Sequence, residues 1–117
     1  MIFRKGLDMR DDVLYEMTNL RKKRTGLAFN IWIRDTPKHQ HEPRIKVQQN
    51  YADNMQINNT VSVSVEAAPT LVQGRWKLTQ SDWCALISFI QLNQALLERV
   101  YWGEADTADL FAELVVG

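Results

Sequence analysis

Two histidines separated by one residue, His39 and His41, are the first residues in the chain whose types and spacing could do chemistry. In an extended segment they would point to the same side, as two metal ligands or an acid and base pair can. A zinc site needs at least one more protein ligand, for which Asp35, Glu42 and Asp53 are the available candidates. The pair therefore raises two hypotheses, a metal site and a catalytic couple.

The segment around the pair, PKHQHEP, favours a third interpretation, an irregular loop. Pro37 and Pro43 bracket the histidines, and proline cannot donate a hydrogen bond to a sheet ladder. We therefore predict a hairpin loop with solvated histidines, and we assign no catalytic residue, no metal and no cofactor. A small toxin-like hydrolase or ribonuclease stays as an alternative, with the two histidines as acid and base and Arg44 or Lys46 as a phosphate clamp.

No other enzyme signature accompanies the histidines. The sequence has no Gly-rich phosphate loop, no His-Glu-x-x-His, no Cys-x-x-Cys and no Gly-x-Ser-x-Gly. Its one cysteine, Cys84, cannot form an internal disulfide and lies in an apolar stretch, which is typical of an inert packing residue. These observations favour a protein that acts by association rather than by catalysis.

Basic residues suggest a second kind of site, one that binds phosphate groups. The densest positive cluster is the run Arg21 to Arg24, and two later segments place further basic residues on the predicted outer face of a sheet. Single-stranded nucleic acid binds such surfaces through phosphate contacts and base stacking. The alternative is an ordinary solvated sheet face. The candidate nucleic-acid-binding residues are Arg21, Lys22, Lys23, Arg24, Trp32, Arg34, Arg44 and Lys46.

Composition and charge limit the class of protein to which the chain can belong. The chain has 117 residues, 45% of them hydrophobic and 24% charged, which predicts a single globular domain over residues 1–117. The sequence offers neither a membrane span nor the apolar core of a signal peptide, so we expect a cytoplasmic protein. Residues 1–50 carry 11 Lys/Arg against 6 Asp/Glu, and residues 51–117 carry 3 against 8. These complementary halves either pair within the domain or steer a partner.

Hydrophobic periodicity predicts the elements that position these residues. Helical spacing favours an N-terminal helix over residues 8–24, and period-two alternation predicts strands over 27–34, 44–49 and 60–66 with a weaker fourth over 70–78. A long helix, capped by Thr79 or Ser81, runs to about Trp102, and a short last helix begins at Asp106 or Thr107. The predicted fold is α+β: a three- to four-stranded antiparallel meander with the N-terminal helix and two C-terminal helices on one face.

The long helix is apolar over more of its circumference than one sheet can bury. A second apolar stripe runs beside its first, so the helix needs a further partner: another helix of this chain or a second subunit. We therefore predict a protein-interaction module, either a homo-oligomer, whose simplest closed form is a two-fold dimer, or a module that binds a protein partner. The candidate interface residues are Trp83, Phe89, Leu92, Leu96 and Val100.

Two stretches resemble a group of short bacterial proteins of unknown function. HEPRIKV at 41–47 and LNQALLERVYWGE at 92–104 are similar to the group's pattern of strand, His-Glu-Pro motif, strand, and a helix that ends in Asn, Leu-Leu and Trp. The matching positions are His41, Glu42, Pro43, Val47 or its neighbour, Asn93, Leu96, Leu97 and Trp102. The group's two later histidines fall on Ile45 and Val47 in this sequence or are absent from it, so no metal or catalytic role follows. The resemblance implies a small cytoplasmic accessory protein from mobile or toxin-antitoxin-like gene pairs.

Overall fold

The computed structural model describes residues 16–35 and 42–116, apart from the side chains of residues 16, 17, 34 and 35. These residues form five strands and three helices: β1 Glu16–Leu20, α1 Lys22–Thr25, β2 Ile31–Asp35, β3 Arg44–Gln48, β4 Thr60–Ser64, β5 Leu71–Gln73, α2 Gln80–Tyr101 and α3 Thr107–Glu113. The strands follow one another in the order β1-β2-β3-β4-β5, each antiparallel to its neighbour. The predicted α+β class with an antiparallel meander is confirmed, but the sheet has five strands where three or four were predicted.

The prediction of an N-terminal helix over residues 8–24 is wrong for residues 16–20, which form the strand β1. Residues 8–15 of that prediction lie outside the described residues. In the strand, Thr18 and Leu20 lie opposite Ile33 and Ile31 of β2 and are buried on the same face of the sheet. The helical signal at the end of the segment belongs to α1, a single turn that ends at Gly26 with a left-handed φ of 83°.

The predicted strands at 44–49 and 60–66 agree with β3 and β4, and the strand at 27–34 agrees with β2 over its second half. The fourth strand, predicted over 70–78, is only three residues long. Gly74 ends it with φ 94°, and a Cβ atom at this position would lie 2.7 Å from Cγ1 of Val61. The close approach to β4 and the left-handed backbone both require glycine here.

The inner face of the sheet and the apolar side of α2 share one hydrophobic core. Ile31, Ile33, Ile45 and Val63 from the strands are fully or almost fully buried together with Leu86, Ile90 and Leu97 of α2. Beside α2, Trp76 stacks edge-to-face on Trp83 with ring centroids 5.0 Å apart and on Phe29 at 6.0 Å. In the described part of the chain, no helix is both long and apolar enough to cross a membrane.

The second apolar side of α2 is covered by the C-terminal part of the same chain. Leu110 of α3 is fully buried in the common core, and Phe111 and Leu114 pack against it. Of the five candidate interface residues, Phe89, Leu96 and Val100 are buried within the protein and Trp83 is half-buried against Trp76. Only Leu92, at 53% exposure, faces solvent. The surface predicted to contact a second subunit is therefore mainly internal core.

Candidate functional site

A cleft of about 800 Å³ gathers most of the described basic run with an exposed aromatic ring. Its basic walls are Arg21, Lys22 and Lys23, and Tyr51 faces it from the loop 49–59 between β3 and β4. Three cations against one carboxylate give the lining a net charge of +2. The remaining lining residues are Leu27, Ala28, Asn30 and Asp53.

The basic wall is shaped by the single turn of α1. The backbone N–H of Gly26 donates to the carbonyl of Lys22 at 2.9 Å, which closes the turn. This turn leaves Arg21 and Lys23 exposed at the cleft. The same turn directs Arg24 away from the cleft: its guanidinium carbon lies 4.2 Å above the ring centroid of Phe111 on α3. The four basic residues therefore do not act as one patch, because Arg24 is used in a cation–π contact.

The opposite wall is held by two buried side-chain amides, Asn30 and Gln48, both fully buried. Gln48 accepts the backbone N–H of Gln56 at 2.8 Å and donates to the Asn54 carbonyl at 3.1 Å. Asn30 donates to the Asp53 carbonyl at 3.1 Å. Tyr51 and Ile57 of the loop 49–59 are exposed, so hydrogen bonds from the two buried amides help to fix the shape of the loop.

Two charged side chains, Lys22 and Arg21, connect the walls. Lys22 Nζ donates to the backbone carbonyl of Tyr51 and lies 3.0 Å from Oδ1 of Asp53. Arg21 donates through Nη1 to the Asp53 carbonyl at 3.3 Å. The Lys22 charge is thus matched by a carboxylate, whereas Lys23 makes no ion pair or hydrogen bond within residues 16–35 and 42–116. Arg21 and Lys23 are the cations that an anionic ligand in the cleft could reach without displacing a carboxylate.

Tyr51 is positioned by the N-terminus of α2. Its hydroxyl donates to Oδ2 of Asp82 at 2.5 Å, and the ring is 47% exposed. Asp82 also accepts the backbone N–H of Thr79 at 3.2 Å as part of the capping box of α2. The hydrogen bond to Asp82 is the main cause that raises the pKa of Tyr51 above its ordinary value, so the phenol keeps its proton. The result is an exposed ring with a fixed orientation.

The outer face of the sheet is not the open basic surface that alternation predicted. Trp32 lies on that face but is only 4% exposed, and Ser62 and Ser64 are buried as well. Arg44 and Lys46 are half-buried and do not line the cleft. The side chain of Arg34 lies outside the description. Of the eight predicted nucleic-acid-binding residues, the structure brings only Arg21, Lys22 and Lys23 together, and Trp32 offers no surface for stacking.

The histidine hypotheses lie outside the described residues, since His39 and His41 fall in the segment 36–41. Of their proposed third ligands, Asp53 is paired with Lys22, and Glu42 is exposed. No group of three or more His, Cys, Asp or Glu that could hold a metal occurs in the part of the chain that the structure describes. Cys84, predicted as a packing residue, is exposed, with its sulfur 3.8 Å from Nε2 of Gln80.

Comparison of this chain with family models, curated proteins and solved structures found no match.

Proposed function

We propose that the protein is a non-enzymatic module that binds single-stranded nucleic acid in the cleft between α1 and the loop 49–59. One observation carries the proposal: the exposed cations Arg21 and Lys23 and the exposed ring of Tyr51 surround the same cavity of about 800 Å³. Phosphate oxygens would accept from Arg21 and Lys23, and a base would stack on Tyr51.

The chemistry of the lining supports a ligand that is both anionic and planar. Leu27 and Ala28 add apolar surface beside the cations, which suits a nucleobase or sugar more than a bare inorganic anion. Tyrosine stacks on any base, and phosphate contacts are independent of sequence. The expected binding is therefore tolerant of sequence, and it favours unpaired strands, whose bases are free to stack.

Lys22 has a structural part in this proposal. Its ammonium group holds the Tyr51 carbonyl and the Asp53 carboxylate, and so sets the distance between the two walls. A phosphate that displaced Asp53 would have to break this ion pair. We therefore assign phosphate binding to Arg21 and Lys23 and positioning of the loop to Lys22.

Fluorescence anisotropy with labelled single-stranded RNA and DNA, and with a duplex of the same sequence, tests the proposal. With two phosphates neutralised, log K should fall with log salt with a slope of about −1.4, taking about −0.7 per phosphate on a single strand. Tyr51→Leu should weaken binding by about 1 to 3 kcal/mol, the typical contribution of one stacked base.

Matched charge removals give the control. Arg21→Gln and Lys23→Gln should each weaken binding and flatten the salt slope, whereas Arg75→Gln and Lys77→Gln, which remove the same charges from exposed positions that do not line the cleft, should do neither. Absence of salt-dependent affinity for any oligonucleotide, or an equal loss in both pairs of variants, would overturn the proposal.

A further inference from the structure

The strand β5 forms an open edge of the sheet. Its residues Leu71, Val72 and Gln73 are all exposed, with Leu71 at 37% and Val72 at 42%, and among the described residues no strand pairs with its outer side. Exposed sheet edges in soluble proteins are usually protected from further pairing by a short strand, a β-bulge, a charged side chain or a proline. β5 is short, and its register with β4 shifts at Val72, between Leu71 opposite Val63 and Gln73 opposite Ser62, but its three residues are two aliphatic side chains and an amide, with no charge and no proline.

The segments that flank β5 carry opposite charges, and a two-fold axis through the strand would bring these opposite charges together. Glu66 precedes the strand, Arg75 and Lys77 follow it, and all three are exposed. If two β5 strands run antiparallel with Val72 facing its own copy, each end of the pair receives the acidic flank of one chain and the basic flank of the other. Opposite charges then meet at both ends, whereas a parallel arrangement would bring like charges together.

We infer that β5 is a homodimerisation edge, on which a second copy of this chain adds its own β5 in antiparallel register about Val72. The contact is isologous, so the same edge serves both copies and the assembly closes at two. The five-stranded sheet becomes a continuous ten-stranded one, and Leu71 and Val72 of each copy lose solvent exposure. This inference is independent of nucleic-acid binding, because neither the cleft nor Tyr51 takes part.

The small size of the contact indicates how tightly the two copies should bind. Stable interfaces bury about 1,200 to 2,000 Å² in total, and a pair of three-residue strands covers less than that. The dimer should therefore dissociate on dilution, with a dissociation constant on the order of tens of micromolar. Sedimentation velocity without nucleic acid, over protein concentrations from about 5 to about 200 µM, should show a shift from monomer to dimer.

Variants at exposed positions locate the interface. Val72→Lys should weaken dimerisation by more than about tenfold, because it places two ammonium groups face to face at the axis. Leu92→Lys is the matched control, since Leu92 is also an exposed aliphatic residue but lies on α2. Loss of the dimer in Leu92→Lys with retention in Val72→Lys would place the interface on α2 and overturn the inference. A monomer at all concentrations would overturn it as well.

Charge exchange tests the antiparallel register. Glu66→Lys should weaken the dimer, because the flank then meets Arg75 and Lys77 of the other copy with the same sign. The double variant Glu66→Lys with Lys77→Glu should recover the dimer, and both effects should shrink in high salt. Weakening without recovery in the double variant would contradict the proposed register. Thermal unfolding of each variant separates a lost contact from a lost fold.

Discussion

The backbone N–H of Lys22 donates a hydrogen bond of 2.9 Å to Oδ1 of Asn30, a fully buried residue eight positions later. The amide nitrogen of the same side chain donates to the carbonyls of Ala52 at 3.2 Å and Asp53 at 3.1 Å. One buried side chain thus binds both α1 and the loop 49–59. Asn30 sets the relative position of the two walls of the cleft before any ligand enters it.

Asn30→Ala should therefore damage stability and the cleft together. The substitution leaves the Lys22 N–H without its acceptor and removes one of two donors from each of the Ala52 and Asp53 carbonyls, so we expect a loss of about 1 to 3 kcal/mol in the free energy of unfolding. Urea denaturation measures it. Asn58→Ala, at an exposed position of the loop 49–59, is the control and should cost less than about 0.5 kcal/mol. A similar cost in both variants would show that Asn30 has no special role.

The fold could be predicted from the sequence wherever the signal was local. Strict alternation identifies β3 and β4, and the sequence offers Thr79 or Ser81 and Asp106 or Thr107 as caps of the last two helices, of which the structure has Thr79 and Asp106. β1 was missed because Met17 and Leu20 also fit a helical spacing. What makes the segment a strand is its pairing with β2, residue by residue from Glu16 opposite Asp35, and such non-local pairing overrides local propensity.

The site was predictable only in part, for the same reason. The basic residues were visible as a run, but nothing local shows that Arg24 turns away to Phe111 or that Trp32 is buried. Tyr51 was not identified, because a tyrosine in an Asn- and Asp-rich segment has the pattern of a surface loop. Its role depends on Asp82, which is 31 residues distant in sequence. Alternation predicts that Asn30 and Gln48 lie on the solvated outer face, and nothing local shows that both side chains are fully buried.

The capping box of α2 gives a second prediction. The Oγ1 of Thr79 accepts the backbone N–H of Asp82 at 3.0 Å, so Thr79→Ala should lower the free energy of unfolding by about 1 kcal/mol. Urea denaturation again provides the measurement, with Ser81→Ala as control because Ser81 is exposed within the first turn. We expect Ser81→Ala to be nearly neutral. Should Ser81→Ala cost as much, the first turn as a whole and not the cap would be responsible.

The contact between Tyr51 and Asp82 predicts a dependence of stability on pH. Burial raises the pKa of Asp82, but hydrogen bonds from Tyr51 and Thr79 outweigh it and hold the pKa below its ordinary value. The stabilisation from this carboxylate is therefore present above about pH 4, the ordinary pKa of aspartate, and is lost as the pH falls further. Tyr51 has the opposite sign: its raised pKa stabilises the fold up to about pH 10 and this contribution is lost above it.

Unfolding free energies measured across that pH range should distinguish the two groups. Asp82→Asn should reduce the decline below about pH 4 without abolishing it, because a hydrogen bond from the backbone of Asp109 also lowers the pKa of Asp106. Tyr51→Phe should reduce the decline above about pH 10. If the decline in unfolding free energy below about pH 4 is unchanged in Asp82→Asn, other carboxylates are responsible for it.

At Asn93, α2 departs from helical geometry with φ −117° and ψ 16°. Its side chain is buried and pairs with the backbone of Val115 in both directions: Nδ2 donates to the carbonyl at 2.9 Å, and Oδ1 accepts the N–H at 2.8 Å. These two hydrogen bonds hold the segment after α3 against α2. Asn93→Ala should lower the free energy of unfolding by about 2 kcal/mol, because the Val115 backbone loses both of its partners.

Hydrogen exchange at the Val115 amide separates this mechanism from general destabilisation, since Asn93→Ala should speed exchange at Val115 more than in the strands of the sheet. Gln94→Ala is the neighbouring control. Gln94 donates to Oε2 of Glu98 at 3.0 Å on the surface side of α2, and its loss should cost less than about 0.5 kcal/mol. If the Val115 amide stays protected in Asn93→Ala, the packing of Leu110 and Leu114, not the amide pair, fixes the C-terminal segment, and α2 would keep its second apolar side covered without Asn93.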